Sequence, residues 1–354
     1  MNNYCVIMAG GVGSRFWPES TAEMPKQFLD ILGTGKSLIQ ETYTRFKTMI
    51  PAENFRIVTH ERYVDIILEQ LPELIENQIL TEPERRNTAP CISYALNEIE
   101  AESFNMIVTP ADHIIKKQKA FEEILQIALE HCNTHDDLLT LGITPTRPDT
   151  GYGYIEYDDK SNSDIKPVIQ FTEKPDRKTA EEFLFQGNFS WNSGMFIWNK
   201  RAINQAFNHF LPEVNNAFAD ALSSESERRK DAIRNAFFSS PEISLDYGIL
   251  EKASNVRVIN ADIGWSDLGT WRSVAEYHGS NESNNLALAG EIVESKSTGN
   301  IIKVSEDKKV ILHNIKDLII VDSDNVLLIL PKEDEQEIKS LRIKASEKFK
   351  NVKT

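Results

Sequence analysis

Cysteine is scarce: Cys5, Cys91 and Cys132 lie far apart with no CxxC spacing, which argues against a disulfide framework and a zinc knuckle and fits a reducing cytoplasm. Positive charge is also in deficit. Against 54 Asp and Glu stand 39 Lys and Arg, a formal net charge of −15, so the broad cationic surface that nucleic acid or anionic lipid requires is not expected. A locally built phosphate site remains open, because a few cationic side chains and a metal ion can hold a nucleotide whatever the net charge. Long apolar runs are missing. The opening MNNYCVIMAGG reaches glycine too early for a signal peptide, and LIIVDSDNVLLIL is broken by DSDN, so no membrane segment is expected. No low-complexity or Gly/Ser-rich linker occurs.

What is present is ordinary globular composition: 354 residues, 40% hydrophobic and 26% charged, enough for one large α/β domain with a smaller unit or for two comparable domains. The run YCVIMA at 4–9 reads as a buried strand that stops at glycines. Helical spacing over Ser37–Met49, the strand FRIVTH at 55–60, a helix from near Thr88 and the strand NMIVT at 105–109 continue the rhythm. A helix near 119–131, a strand LLTLGI at 138–143 and helices around 176–186 and 200–222 follow. This alternation predicts a Rossmann-like α/β fold, a mostly parallel mixed sheet with helices on both faces. From 285 the texture changes to NIIKV, KVIL, LIIV and VLLIL between polar turns. That pattern predicts an all-β unit, a β-helix or a small barrel, ending in an amphipathic helix over roughly 333–350 around Ile338, Leu341, Ala345 and Phe349. The expected domains are therefore 1–284 and 285–354.

The segment AGGVGSRFWP at 9–18 sets glycines and an arginine directly after the first strand, where backbone N–H groups can surround anionic oxygens. Glycines alone are also compatible with a tight turn or a dinucleotide-binding loop, whose ribose-binding acid Asp30 would supply. The spacing is GGxGSR, however, and PKQF at 25–28 adds Lys26, as if Arg15 and Lys26 closed on one phosphate chain. With RNTAP at 86–90, PADH at 110–113, GYGYI at 151–155, FTEKPD at 171–176, WNSGMF at 191–196, SLDYGILE at 244–251 and GWSDLGTW at 264–271, the chain resembles the sugar nucleotidyltransferases, specifically the mannose-1-phosphate guanylyltransferases. The matching order runs from near residue 5 to at least residue 271, and at this length the phosphomannose isomerase domain that longer members append is not expected.

The resemblance implies a nucleotide-diphospho-sugar transferase fold and a Mg2+-dependent reaction of mannose 1-phosphate with GTP, giving GDP-mannose and pyrophosphate. It implies a nucleotide site at Ala9, Gly10, Gly11, Gly13, Ser14, Arg15, Lys26 and Asp112, with Glu82, Asn87 and Thr88 toward the guanine. Catalysis falls to Arg15, Lys26 and Lys174, which neutralise two mutually repelling anions. Gly151, Gly153, Glu173, Lys174, Asn192 and Asp246 would form the sugar site, and Asp112 and Asp267 would hold Mg2+. Physical readings accompany several of these. Asp112 follows a strand end where hard cations are held, although an isolated Asp there more often caps a turn. Glu173 and Lys174 are strand neighbours and serve one ligand only if the chain kinks, which Pro175 favours. Thr88 is expected to cap its helix, with Pro90 in the first turn. Trp191, Met195 and Phe196 suit the core, and none of the seven histidines is needed, His113 included. The same chemistry on another hexose or base, and a silent nucleotide-sugar-binding regulator, are the alternatives; assembly as a homodimer is compatible with each. Lys26→Ala and Asp267→Asn are expected to lower turnover far more than folding stability.

Overall fold

The structure is a computed structural model that describes residues 1–279, 283–288, 290–349 and 353. In chain order the elements begin with β1 (Asn2–Met8), α1 (Leu38–Lys47), β2 (Phe55–His60), α2 (Val64–Gln70), β3 (Ile79–Glu82), α3 (Thr88–Glu98), β4 (Phe104–Pro110) and β5 (Ile114–Ile115). There follow α4 (Gln118–Cys132), β6 (Leu138–Ile143), β7 (Tyr154–Tyr157), β8 (Ile165–Thr172), α5 (Arg177–Gln186) and β9 (Phe189–Asn199). Next come α6 (Lys200–Phe210), α7 (Pro212–Ser223), α8 (Ser226–Ser239), β10 (Val256–Asn260), β11 (Trp265–Ser266) and α9 (Trp271–His278). The chain closes with β12 (Leu286–Leu288), β13 (Glu291–Ser295), β14 (Ile301–Lys303), β15 (Lys309–His313), β16 (Leu318–Ser323), β17 (Val326–Pro331) and α10 (Ile338–Lys348). Two compact units result: 1–10, 45–110 and 115–265 form the first, and 11–44, 111–114 and 266–354 the second.

The first unit is built on a nine-stranded sheet in the order β3, β2, β1, β4, β9, β6, β10, β8, β7. Cys5, Val6 and Ile7 are fully buried in β1, as a strand covered on both faces requires. Parallel pairing runs through β3, β2, β1 and β4 and recurs between β10 and β6. The remaining pairs are antiparallel, so the expected mostly parallel sheet holds only for the N-terminal half. The reason is β9, which enters antiparallel between β4 and β6 and pairs by its first residues with β7. Strands β9, β6, β10, β8 and β7 thereby close on themselves as a small barrel region.

Helices α3, α6, α7 and α8 share one apolar core with this sheet. Its centre is aromatic: Tyr94 stacks on Phe218 at 5.6 Å, and Phe237 meets their edges at 5.5 and 4.8 Å. Truncating Phe218 to Ala would cost about 3–5 kcal/mol. The helical pattern read over 200–222 is in fact two helices, broken at Leu211 by Pro212 at the first position of α7, and α8 was not anticipated.

In the second unit, β12, β14 and β16 stack in parallel, β13 and β15 form a separate parallel pair, and β17 returns antiparallel on β16. Their inner residues Leu286, Ile301 and Ile319 share a cluster with Phe16, Trp17, Leu268 and Trp271. The same apolar core therefore supports the residues flanking Arg15 and Asp267. Ile338 of α10 is buried there, whereas Phe349 lies beyond the helix and is 54% exposed; position 350 of the expected helix is outside the described residues. Among the described residues no helix is long and apolar enough to cross a membrane.

Candidate active site

In the second unit the glycine loop leads into a short 3-10 turn at Ser14–Phe16. Gly13 has φ +65, and a Cβ there would lie 2.3 Å from Cβ of Lys26, so both backbone sign and space require glycine. The Gln27 amide donates to the Gly11 carbonyl at 2.9 Å, tying PKQF to the loop. Lys26 is 3% exposed. Its Nζ lies 2.9 Å from Asp112 Oδ2 and donates to the carbonyls of Asp267 at 3.1 Å and Leu268 at 2.9 Å, which accounts for all three ammonium protons. One cation thus joins two motifs distant in sequence. Burial would raise the Asp112 carboxyl, but the Lys26 charge, His113 and the Lys26 hydrogen bond hold it below its ordinary value. Leu268 has φ +46, and the Asp267 carboxylate accepts from the Gly269 N–H at 3.1 Å, which keeps that side chain folded over its own turn.

Arg15 takes a partner that Lys26 does not share. Its Nε donates to Gln336 Oε1 at 2.9 Å, and Lys339 on α10 is held below its ordinary value first by the Arg15 charge. Gln336 and Lys339 escaped the sequence reading because nothing in the charged C-terminal stretch marks them. Asp30, which a dinucleotide site would need for ribose, instead caps its own loop through Thr34 N–H at 2.9 Å and Gly35 N–H at 2.8 Å.

In the first unit, Ala9 at the end of β1 accepts from Thr59 Oγ1 at 3.0 Å. Beside it Gly10 leaves room for Glu82, whose Oε2 would lie 3.3 Å from a Cβ at that position. Glu82 ends β3 and is 5% exposed. Burial pushes its carboxyl up to about 7, against the opposing pull of Arg85. The expected cap is displaced by one residue. Asn87, with φ 67, is the N-cap and its side chain accepts from the Thr88 N–H at 2.9 Å, whereas Thr88 Oγ1 accepts from the Leu245 N–H at 2.8 Å. Asn87 holds the cap with φ 67 and ψ −169, its short side chain bonding the next N–H while the Thr88 hydroxyl is engaged by Leu245. Pro90 does fall in the first turn of α3.

The six expected sugar-site residues also lie in the first unit, and five of them interlock. The Asn192 N–H donates to the Gly153 carbonyl at 2.8 Å, and its Nδ2 donates to Asp246 Oδ1 at 2.9 Å. Its Oδ1 accepts from Thr140 Oγ1 at 3.2 Å and from the Gly194 N–H at 3.1 Å, fixing the orientation of the amide. A Cβ on Gly153 would come within 2.5 Å of Glu173 Oε2. The kink expected at Pro175 occurs one residue earlier: Lys174 takes φ 46, which lets its ammonium pair with the Glu173 carboxylate. Burial first, and then the Glu173 charge, push Asp246 up to about 6. Gly151 is set by Asp149, whose Oδ1 accepts its N–H at 2.8 Å. Trp191, Met195 and Phe196 are buried, as expected, while Tyr247 is 48% exposed and so is not a core residue. Glu251, which accepts a backbone hydrogen bond from Glu173, and Arg147 were not foreseen, since each acts through another residue of the site.

Comparison with known proteins gives this arrangement its context. A family model described as nucleotidyl transferase matches residues 4–284. A mannose-1-phosphate guanylyltransferase of Klebsiella pneumoniae is 34% identical over 345 residues, covering 94% of this chain and 72% of the relative. The Escherichia coli K12 protein of the same description is 33% identical over 96% of this chain and 72% of its own. Among solved structures, a Thermus thermophilus protein described as a mannose-1-phosphate geranyltransferase superposes with a TM-score of 0.87 at 28% identity, covering 98% of this chain and 100% of that one. The chain belongs to the nucleotidyl transferase family, among the mannose-1-phosphate guanylyltransferases.

Proposed function

We propose that the chain joins mannose 1-phosphate to GTP, releasing pyrophosphate and forming GDP-mannose. The observation that carries the reading is the buried Lys26 ammonium, which ties the Asp112 side chain to the Asp267 turn, in a chain whose 34%-identical relative bears that activity in its description. A phosphate oxygen of mannose 1-phosphate bonds to the α-phosphorus of GTP, and the bond from that phosphorus to the bridging oxygen breaks, its electron pair leaving with pyrophosphate. No general base is needed, because the second pKa of a phosphate monoester is about 6 and the nucleophile is already largely ionised. Charge neutralisation and orientation are what the side chains must supply.

The N–H groups of Gly10, Gly11, Gly13 and Ser14 with Arg15 are assigned to the triphosphate, Ala9 and Glu82 to the base pocket, and Asn87 and Thr88 to its rim. Lys26 holds Asp112 and the Asp267 turn in register and supplies positive charge beside the phosphates. Lys174 neutralises the sugar phosphate; Glu173, Asn192 and Asp246 meet hexose hydroxyls, with Gly151 and Gly153 as the backbone wall. The donor chemistry fits Mg2+: Asp112 and Asp267 each carry a hard carboxylate, Lys26 binding the first through its side chain and the second through its backbone carbonyl, and although no group of three or more candidate ligands occurs among the described residues, Mg2+ takes one or two carboxylates and fills the rest with water and phosphate. When bound, the ion contributes neutralisation of the phosphate oxygens. Residues 1–284 are assigned to the nucleotidyltransferase domain, which the family match to 4–284 supports. Residues 285–354 are read as a few rungs of a β-helix with a terminal helix.

The test mixes purified protein, Mg2+ and mannose 1-phosphate with each of four nucleoside triphosphates and follows pyrophosphate. Release with GTP is expected; silence in every mixture would favour a regulatory nucleotide-sugar binder instead, and equal rates with all four would remove the base assignment.

A further inference from the structure

The turn that carries Gly151 and Gly153 is held from outside the pocket. Pro148 restricts the backbone between Arg147 and Asp149, and the Asp149 N–H donates to the Arg147 carbonyl at 2.9 Å. Arg147 Nε donates to Asp149 Oδ2 at 3.0 Å, and its Nη2 approaches the same oxygen at 2.9 Å. The other carboxylate oxygen, Oδ1, takes the Gly151 N–H at 2.8 Å, and the Asp149 carbonyl accepts from Tyr154 Oη at 3.0 Å. Every polar group of Asp149 is therefore engaged within one turn. Arg147 reaches further: its guanidinium lies 5.2 Å from the ring centre of Trp191 and 6.0 Å from that of Tyr152, and the two rings meet edge to face at 5.0 Å. Trp191 precedes Asn192, whose N–H closes the circuit on the Gly153 carbonyl.

We propose that Arg147 and Asp149 form a clasp that positions the Gly151–Gly153 turn against Asn192 and Glu173, making both residues determinants of sugar-phosphate binding without touching the substrate. The inference rests on the reading of this pocket as the hexose site. Arg147 adds a link between the turn and the Trp191–Asn192 strand to that made by the Tyr152 and Trp191 rings, and its planar cation suits both tasks, stacking on aromatic faces and pairing with a carboxylate. Gly153 shows why position matters, since its Cα hydrogen faces a carboxylate that leaves no space for a methyl group. A small drift of the turn would move that wall relative to Glu173 and Asn192. No chemistry is altered, so the loss falls on ground-state and transition-state binding alike and appears in KM.

Steady-state kinetics with both substrates varied tests the clasp, using Arg147→Ala, Arg147→Lys, Asp149→Asn, the Arg147→Ala/Asp149→Asn pair and, as a pocket control, Gly153→Ala. Arg147→Ala should raise KM for mannose 1-phosphate about fivefold while kcat and KM for GTP stay within about twofold. Arg147→Lys, which keeps the charge, should recover most of that loss. Asp149→Asn should resemble Arg147→Ala, and the pair should be no worse than either alone, because both break one unit. Additive losses would show that the two residues act independently and would overturn the clasp, as would equal rises in both KM values. If Gly153→Ala raises KM for the sugar phosphate and the clasp variants do not, the clasp is wrong and the hexose pocket stands. If Gly153→Ala leaves that KM unchanged, the pocket assignment itself falls.

Discussion

Replacing Glu82 by Gln should make the protein more stable and less able to use GTP. Burial raises this carboxyl from 4.5 to about 7 in the folded chain, with Arg85 pulling it down, whereas the unfolded chain ionises it at the ordinary value. The unfolded state therefore loses the proton first as pH rises. The stabilisation by protonated Glu82 is whole below about 4.5 and is lost as pH climbs through about 7. The rise from 4.5 to about 7 corresponds to roughly 3 kcal/mol at about 1.4 kcal/mol per pH unit. Gln keeps the size and carries no charge, so Glu82→Gln should gain on the order of 3 kcal/mol at about pH 8 and almost nothing at about pH 4.5. Urea unfolding followed by far-ultraviolet circular dichroism at both pH values measures this. The functional side has the opposite sign: an ionised carboxylate accepts from the N1 and N2 donors of guanine, so the variant should raise KM for GTP about tenfold or more. In the parent protein, KM for GTP should climb as pH falls below about 7. A variant with the same stability increment at both pH values would refute the burial argument, and one with unchanged GTP affinity would separate Glu82 from the base.

Lys26→Met should reduce turnover strongly and also destabilise the chain by about 3–5 kcal/mol, because it leaves the Asp112 carboxylate without its buried partner; thermal melting alongside pyrophosphate release checks both effects. Gly13→Ala forces a Cβ to 2.3 Å from that of Lys26 in a left-handed backbone, and should lower kcat/KM for GTP at least about tenfold; parent-like kinetics would contradict the close approach of loop and lysine. Asp246→Asn removes a carboxyl raised to about 6, a contribution lost as pH rises through that value, so the variant's melting temperature should fall less than the parent's between about pH 4 and 8. Gln336→Ala frees Arg15 from its C-terminal partner; KM for GTP should change by several-fold in either direction while KM for the sugar phosphate holds, and unchanged values for both would make the contact incidental.

The candidate site was legible in the chain through the resemblance more than through its single residues. A glycine loop with Arg15, a carboxylate after β4 and an amide followed by glycine at 192–194 each have an ordinary local reading, and it is their shared order along the chain that resembles the family; the structure places Lys26 and Asp112 in direct contact and brings the Asp267 backbone to the same ammonium. The alternation of strands and helices follows from periodicity alone, as the agreement of α4 and β6 with their expected ranges illustrates. Neither the strand β9 nor its antiparallel direction was legible, since the run at 189–199 offers only a motif and a buried run reads the same whichever way it pairs. Nor were the choice of Asn87 over Thr88 as cap, the turning of Arg15 to Gln336 and the engagement of Asn192 with Thr140 and Asp246.

By itself, then, the sequence determined which charges and amides this protein has to work with and which strands and helices carry them. The tertiary structure alone decided which partner each one takes. The physical reason is that patterning is set by neighbours along the chain, whereas a buried ammonium or carboxylate settles on whichever opposite group packing brings within hydrogen-bonding distance, here across more than two hundred residues from Lys26 to the Asp267 turn.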